Sequence, residues 1–371
     1  MSAARQWFLI LAINIGLAAT LQAIVPGEPK LSDRNAYEYA GQHGLDPNCG
    51  FSVYCYRVLV PVVLEQIPID ATLRWRGYQV AANALAGTIL AATVWQLAGG
   101  WPAAVFASVM VQSSFGFTFA AYDPYSAEPA VFVFAAIITW CWVNNRIAGA
   151  FAAGLIGLFA KETVALVSAS TALAAVISRQ PRQWPWWCAQ ATVVMAVLLG
   201  FHWIMDTYFG WGITVNAAAQ FSEGSWLAIW WQHNTSVVRK MFYLFMPFGF
   251  GWFYAAAGFR MAPAKLRQLA LGAIAPMLAL NYVQNPERAL GNAFFVIVPL
   301  AVIALMRMPM ALAVLAVVTN GALTAKVGTS TAWLPPASIL LGPAAVSAAV
   351  VGWRLWLTER RGQGGHPQET I

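Results

Sequence analysis

Charge is what this sequence has least of. Only 9% of its 371 residues are charged, against 60% hydrophobic, a balance that no water-soluble domain of this length tolerates. The 4 histidines and 4 cysteines show no metal-ligand spacing with one another or with acids, so no resident metal constellation is visible. Internal repeats, low-complexity tracts and soluble domains are absent too. A nucleic-acid partner is excluded as well, because the pI of about 9.4 comes from bases in short loops rather than from a basic patch.

What is there is a series of apolar stretches, at a mean hydropathy of +0.61. They fall at 7–25, 79–97, 101–121, 129–143, 147–160, 163–177, 186–205, 241–257, 266–283, 293–306, 309–325 and 333–353. Each approaches the ~20 residues that cross ~30 Å of hydrocarbon. The expected fold is all-α, a polytopic bundle of about twelve transmembrane spans. It forms one domain over residues 1–361, with a short disordered tail at 362–371 in the cytoplasm. Residues 147–177 are too many for one span and are interrupted by Lys161 and Glu162, so two short spans meeting at that pair are expected. The first stretch has the Arg5, apolar core and small residues of a signal peptide, but its core is long for one, and it reads as a retained first helix.

Orientation follows from lysine and arginine in short loops. With the N-terminus in the cytoplasm, Arg5, Arg146, Arg179, Arg182, Arg260, Lys265, Arg267, Arg307 and the C-terminal Arg354, Arg360 and Arg361 fall inside. Asp33, Glu38, Asp46, Asp123, Glu128, Glu162, Asp206, Glu223 and Glu287 fall outside, at the ends of different helices. Scattered outer acids usually solvate loop ends. Their pairing with bases at several separate helix ends is better explained by convergence on one outer cavity.

The first outer connection carries Asp33, Tyr37, Glu38, Asp46 and Arg57. An aspartate at that place equally serves as the cap of a short helix. Residues 56–67 are too short to span, which suggests a helix lying in the interface or re-entering slightly. Cys49 and Cys55, with Arg57 just after them, either form a small disulfide ring or remain two free thiols.

Three pieces of the chain resemble polytopic bacterial proteins related to the GT-C glycosyltransferases. The first is Asp33, Tyr37 and Ala40 followed by the run Tyr56-Arg57-Val58-Leu59-Val60-Pro61. The second is GLFAKETVAL with Lys161, Glu162 and Thr163, and the third is NPERALGNAFFVIVPL with Glu287 and Arg288. The resemblance implies a multi-pass enzyme of the bacterial inner membrane, with both termini cytoplasmic. Such an enzyme transfers a sugar from a polyprenyl-phosphate donor at the outer face, and an acid of the first outer loop acts as base. Asp33 is the matching residue. The chain departs from the pattern where Arg34 replaces the second acid of a paired motif, and where no soluble C-terminal domain follows.

Inverting sugar transfer needs a base for the acceptor hydroxyl, worth ~10²–10⁴-fold, and positive charge for the departing phosphate. Asp33 is the candidate base, with Asp123 and Glu128 of the segment AYDPYSAEP in reserve; those two are otherwise solvated acids in a proline-rich turn. Arg57, Lys161 and Arg288 are candidates for the phosphate. Glu162 and Glu287 would orient them, each pairing with a base from another span because neighbours on a helix do not face one another. Such pairs are equally well structural salt bridges. His233, in a tryptophan-rich outer loop, titrates near neutral pH, although a lone loop histidine is more often structural. A divalent cation such as Mg²⁺ or Mn²⁺ could be held by acids from several loops. Two other classes compete with the enzyme: a secondary transporter or lipid flippase, and a scaffold without chemistry. Transporters show related halves and midplane charges, and this sequence shows neither.

Overall fold

The computed structural model describes residues 3–25, 33–50, 52–178, 183–211, 236–279, 286–329 and 334–363, and every regular element among them is a helix. The connection between the long helices α1 (Ala3–Ile24) and α4 (Ala71–Ala98) holds α2 (Arg34–His43), a 3-10 turn (Ser52–Tyr56) and α3 (Leu59–Glu65). Next come α5 (Trp101–Ser113), α6 (Phe115–Tyr122), α7 (Glu128–Val143), α8 (Ile147–Leu158), α9 (Thr163–Ser178) and α10 (Trp184–Phe209). The second half comprises α11 (Val237–Phe245), α12 (Gly251–Phe259), α13 (Ala264–Ala279), α14 (Pro286–Gly291), α15 (Phe294–Leu305), α16 (Met310–Thr329) and α17 (Ala337–Gln363).

Five of these helices, α1, α4, α10, α16 and α17, are long and apolar enough to cross a membrane, and the bent pair α5–α6 makes a sixth if taken as one span. Helices α7, α8, α9 and α15 are equally apolar but only 12–16 residues long. Each of the twelve apolar stretches in the sequence overlaps at least one helix. By length and composition, the described residues supply five helices able to cross, or up to six with the bent pair taken as one span.

Two stretches that read as continuous are broken. The α5–α6 pair bends by 50° at Ser114, whose extended backbone interrupts the helix. The other break, between α11 and α12, contains Pro247, and the two breaks meet where Phe115 N–H donates to the Pro247 carbonyl at 3.2 Å. Gly249 adopts φ +52° there, a conformation open mainly to glycine. Backbone groups freed inside an apolar bundle must find partners. Asn320 of α16 supplies them, accepting from Phe250 N–H at 2.7 Å and donating to the Phe248 carbonyl at 3.2 Å.

Packing orders the bundle around α15, a 12-residue helix on which every residue except Ile297 is buried. Helix α12 packs on it closely enough that a Cβ added at Gly258 would lie 1.9 Å from the Leu300 carbonyl oxygen. Close backbone approach of this kind is how helices associate where lipid offers no hydrophobic driving force. Across α1, α4 and α5 a buried polar network runs from Asn14 to Ser108 at 2.9 Å and from Gln112 to Asn14 at 3.2 Å, each bond contributing ~0.6 kcal/mol. The outward faces of α1, α10 and α17 expose Phe8, Trp203 and Val346 by 60% or more, as helices bathed in lipid do.

Candidate functional site

The site forms where the α1–α4 connection meets the breaks before α7 and after α8. Leu59 N–H, opening α3, donates to the Phe159 carbonyl at the end of α8 at 2.9 Å. That bond brings Arg57 to the turn between α8 and α9. Arg57 meets Glu162 there in a forked pair, Nη2 to Oε1 at 2.6 Å and Nε to Oε2 at 3.1 Å. Its guanidinium lies 5.3 Å from the ring centre of Tyr54. The two charged side chains keep 10% and 23% of their exposure, so the pair is neither dry nor fully solvated. Burial alone would raise the Glu162 carboxyl, but the charge and hydrogen bonds of Arg57, helped by Lys161, outweigh it and hold the group down at about 2.

Lys161, adjacent in sequence, turns the other way. Its Nζ donates to Glu128 Oε1 at 2.5 Å. Glu128 opens α7, where a carboxylate is favoured by the helix dipole, and its second oxygen accepts from the Ser126 hydroxyl. Helix α4 is the template for this turn. Gln79 Nε2 donates to the Pro124 carbonyl at 2.7 Å, and the Tyr78 hydroxyl accepts from Ala130 N–H at 2.9 Å. Both charged pairs thus join different elements, as the geometry of neighbouring helix residues requires.

Asp33 occupies the position that precedes α2, yet its side chain makes no capping bond. Burial, together with the nearby negative charge of Asp33, pushes the Tyr54 phenol up. Tyr37, one turn into α2, is 1% exposed. It packs against Tyr54 and Trp75 with ring centres 5.4 and 5.5 Å apart. Burial, opposed by the Arg57 charge and reinforced by those of Glu128 and Asp33, pushes its phenol up. Asp33, Tyr37, Arg57, Glu128, Lys161 and Glu162 are therefore one electrostatic cluster. It holds three acids and two bases.

The remaining candidates stand apart. Asp123 is buried at the end of α6, across the Pro124–Ala127 turn from Glu128. Glu287 and Arg288 belong to α14, which packs against α6 and α11, but their side chains lie outside the described ones. His233 and its tryptophan-rich loop, 212–235, also lie outside the described residues. Cys49 and Cys55 are joined as a disulfide. Among the described residues no three His, Cys, Asp or Glu are grouped to hold a metal ion, and Glu128 and Glu162 are engaged by Lys161, Ser126 and Arg57.

Several residues here escaped the sequence reading. Tyr54 and Ser126 contact the charged groups directly, and Tyr56 bonds Asp206 near the C-terminal end of α10. A serine two residues before an acid that opens a helix is a recognisable local signal. Nothing in sequence pairs Tyr56 with a residue 150 positions away.

No protein-family model, curated protein or solved structure matches this chain, and the chemistry must be argued from the cluster itself.

Proposed function

We propose that this protein is a GT-C-type membrane glycosyltransferase with the twelve-crossing topology expected from hydropathy and both termini in the cytoplasm. It takes a sugar from a polyprenyl-phosphate donor at the outer face of a bacterial inner membrane. The observation that supports this reading is the meeting of Asp33, Arg57, Glu128, Lys161 and Glu162, drawn from three separate stretches of chain, in one partly solvated cluster.

In this reaction the acceptor oxygen attacks the anomeric carbon as the carbon–oxygen bond to the donor phosphate breaks. Asp33 takes the acceptor proton, and the electron pair of the broken bond leaves on the phosphate. Arg57 and Lys161 stabilise that charge, which is worth most where water is partly excluded. Glu162 and Glu128 neutralise these cations until the donor arrives and fix their geometry. Tyr54 steers the Asp33 carboxylate.

The decisive experiment is turnover of a panel of polyprenyl-phosphate sugars by membranes carrying the wild type or Asp33→Asn. Loss of turnover with donor binding retained supports the assignment. Equal turnover by both removes it. A transporter or flippase is the second reading, favoured by the helix interrupted between α11 and α12 at the level of Asn320, since broken helices build transport sites. Substrate-dependent flux in liposomes without sugar transfer would decide for it.

A further inference from the structure

The first outer connection is fastened at two places, and both lie beside Arg57. One is the Cys49–Cys55 disulfide, which closes a ring around the start of the 3-10 turn Ser52–Tyr56. Cys55 is 1% exposed, whereas Cys49 is half-buried at the surface side. The other is a clamp on the outer end of α10. There Tyr56 donates its hydroxyl proton to Asp206 and stacks on His202 at 4.1 Å between ring centres. Its edge meets Trp211 at 4.9 Å, and Trp211 Nε1 donates to the Asp46 carbonyl at 3.0 Å. Asp46 lies just before the ring and Tyr56 directly follows it. The next residue is Arg57, whose N–H donates to the Tyr54 carbonyl at 3.1 Å. Little regular structure lies between Gly44 and Leu59 to hold this turn otherwise.

We propose that the Cys49–Cys55 disulfide is a redox latch on the outer site. Closed, it holds Tyr56 in the α10 clamp and Arg57 on Glu162. Open, it releases the turn, and the guanidinium loses its fixed position. The proposal rests on reading Arg57 as a residue that faces substrate at the outer side.

The opening reaction uses a dithiol reductant. Its thiolate attacks the accessible Cys49 sulfur, the sulfur–sulfur bond breaks, and Cys55 leaves as a thiolate that takes up a proton. The reductant's second thiol then displaces Cys49 and closes its own disulfide. Two electrons and two protons pass to the protein in all. Loss of the ring removes a constraint on the unfolded turn and lowers the free energy of local opening.

The test is hydrogen exchange by the intact protein in lipid nanodiscs, followed by mass spectrometry. Oxidised protein, protein treated with dithiothreitol and the Cys49→Ser/Cys55→Ser variant are compared. The proposal expects exchange over residues 47–58 to rise on the order of tenfold or more when the bond is open, with α4 and α15 unchanged. Tyr56→Phe, which keeps the disulfide but loses the bond to Asp206, should loosen the same peptide by less. Unchanged protection after reduction overturns the latch, and so does alkylation of Cys49 and Cys55 in untreated membranes. A loosened turn with unaltered sugar turnover supports the latch but counts against the role given to Arg57, so the two ideas fail separately.

Discussion

Arg57 and Glu162 are 105 positions apart in the chain, yet they share two hydrogen bonds, at 2.6 and 3.1 Å. Forked geometry of this kind is specific to a guanidinium. Arg57→Lys should therefore lose one of the two bonds and behave more like Arg57→Ala than charge alone suggests. Loss of the whole pair should cost ~1–3 kcal/mol. A double-mutant cycle of Arg57→Ala and Glu162→Ala, measured by denaturation in detergent, should return a coupling energy of that size; additive losses would mean that the pair contributes nothing.

The same pair fixes an acid limit. Glu162 titrates at about 2 in the folded protein, against an ordinary value of 4.5. A depressed folded-state value stabilises the fold above 4.5 and surrenders that contribution as pH falls toward 2. Thermal midpoints should be insensitive to this group at neutral pH and should drop below about pH 4.5. Glu162→Gln should flatten that part of the profile.

Lys161 and Glu128 should respond asymmetrically to removal. Lys161→Met leaves Glu128, 9% exposed as a residue, without its cation, at ~3 kcal/mol. Removing both charges in Lys161→Met/Glu128→Gln should restore part of the loss. Stability measurements on the three variants check the order.

Asn320 should matter although the partners it holds are backbone groups rather than charges. Asn320→Ala strands Phe250 N–H within the bundle and leaves the Phe248 carbonyl with Gly251 N–H, costing ~1–3 kcal/mol. Gly249→Ala strains a positive φ and brings a Cβ to 2.6 Å from Asn320 Oδ1, at ~1–3 kcal/mol. Thermal unfolding of the two variants in detergent should show losses of similar size.

Helix positions were legible in the sequence because twelve apolar runs separated by charges and prolines leave the backbone little other choice in lipid. The interruption at Lys161 and Glu162 was legible for the same reason. The bend at Ser114 was not, since a serine among apolar residues is common in spanning helices and only the bond from Phe115 N–H to the Pro247 carbonyl exposes the break. Within the site, the charges themselves could be read, because each is rare and expensive. Their partners could not. Glu128 was held in reserve as a base, and it turned out to be the counter-charge of Lys161. Asp33 looked equally like a cap, and only coordinates show that its side chain makes no capping bond.

Helix α8 has 12 residues and α9 has 16, which correspond to lengths of about 18 and 24 Å. Neither matches the ~30 Å of a hydrocarbon layer. On the proposed topology, the corner that carries Lys161 and Glu162 sits several ångströms beneath the outer boundary of the acyl chains. The bilayer must dimple to wet those charges. A prenyl phosphate could then settle sideways into the hollow while its tail stays in the leaflet, and the sugar would descend to the protein instead of being lifted out to it.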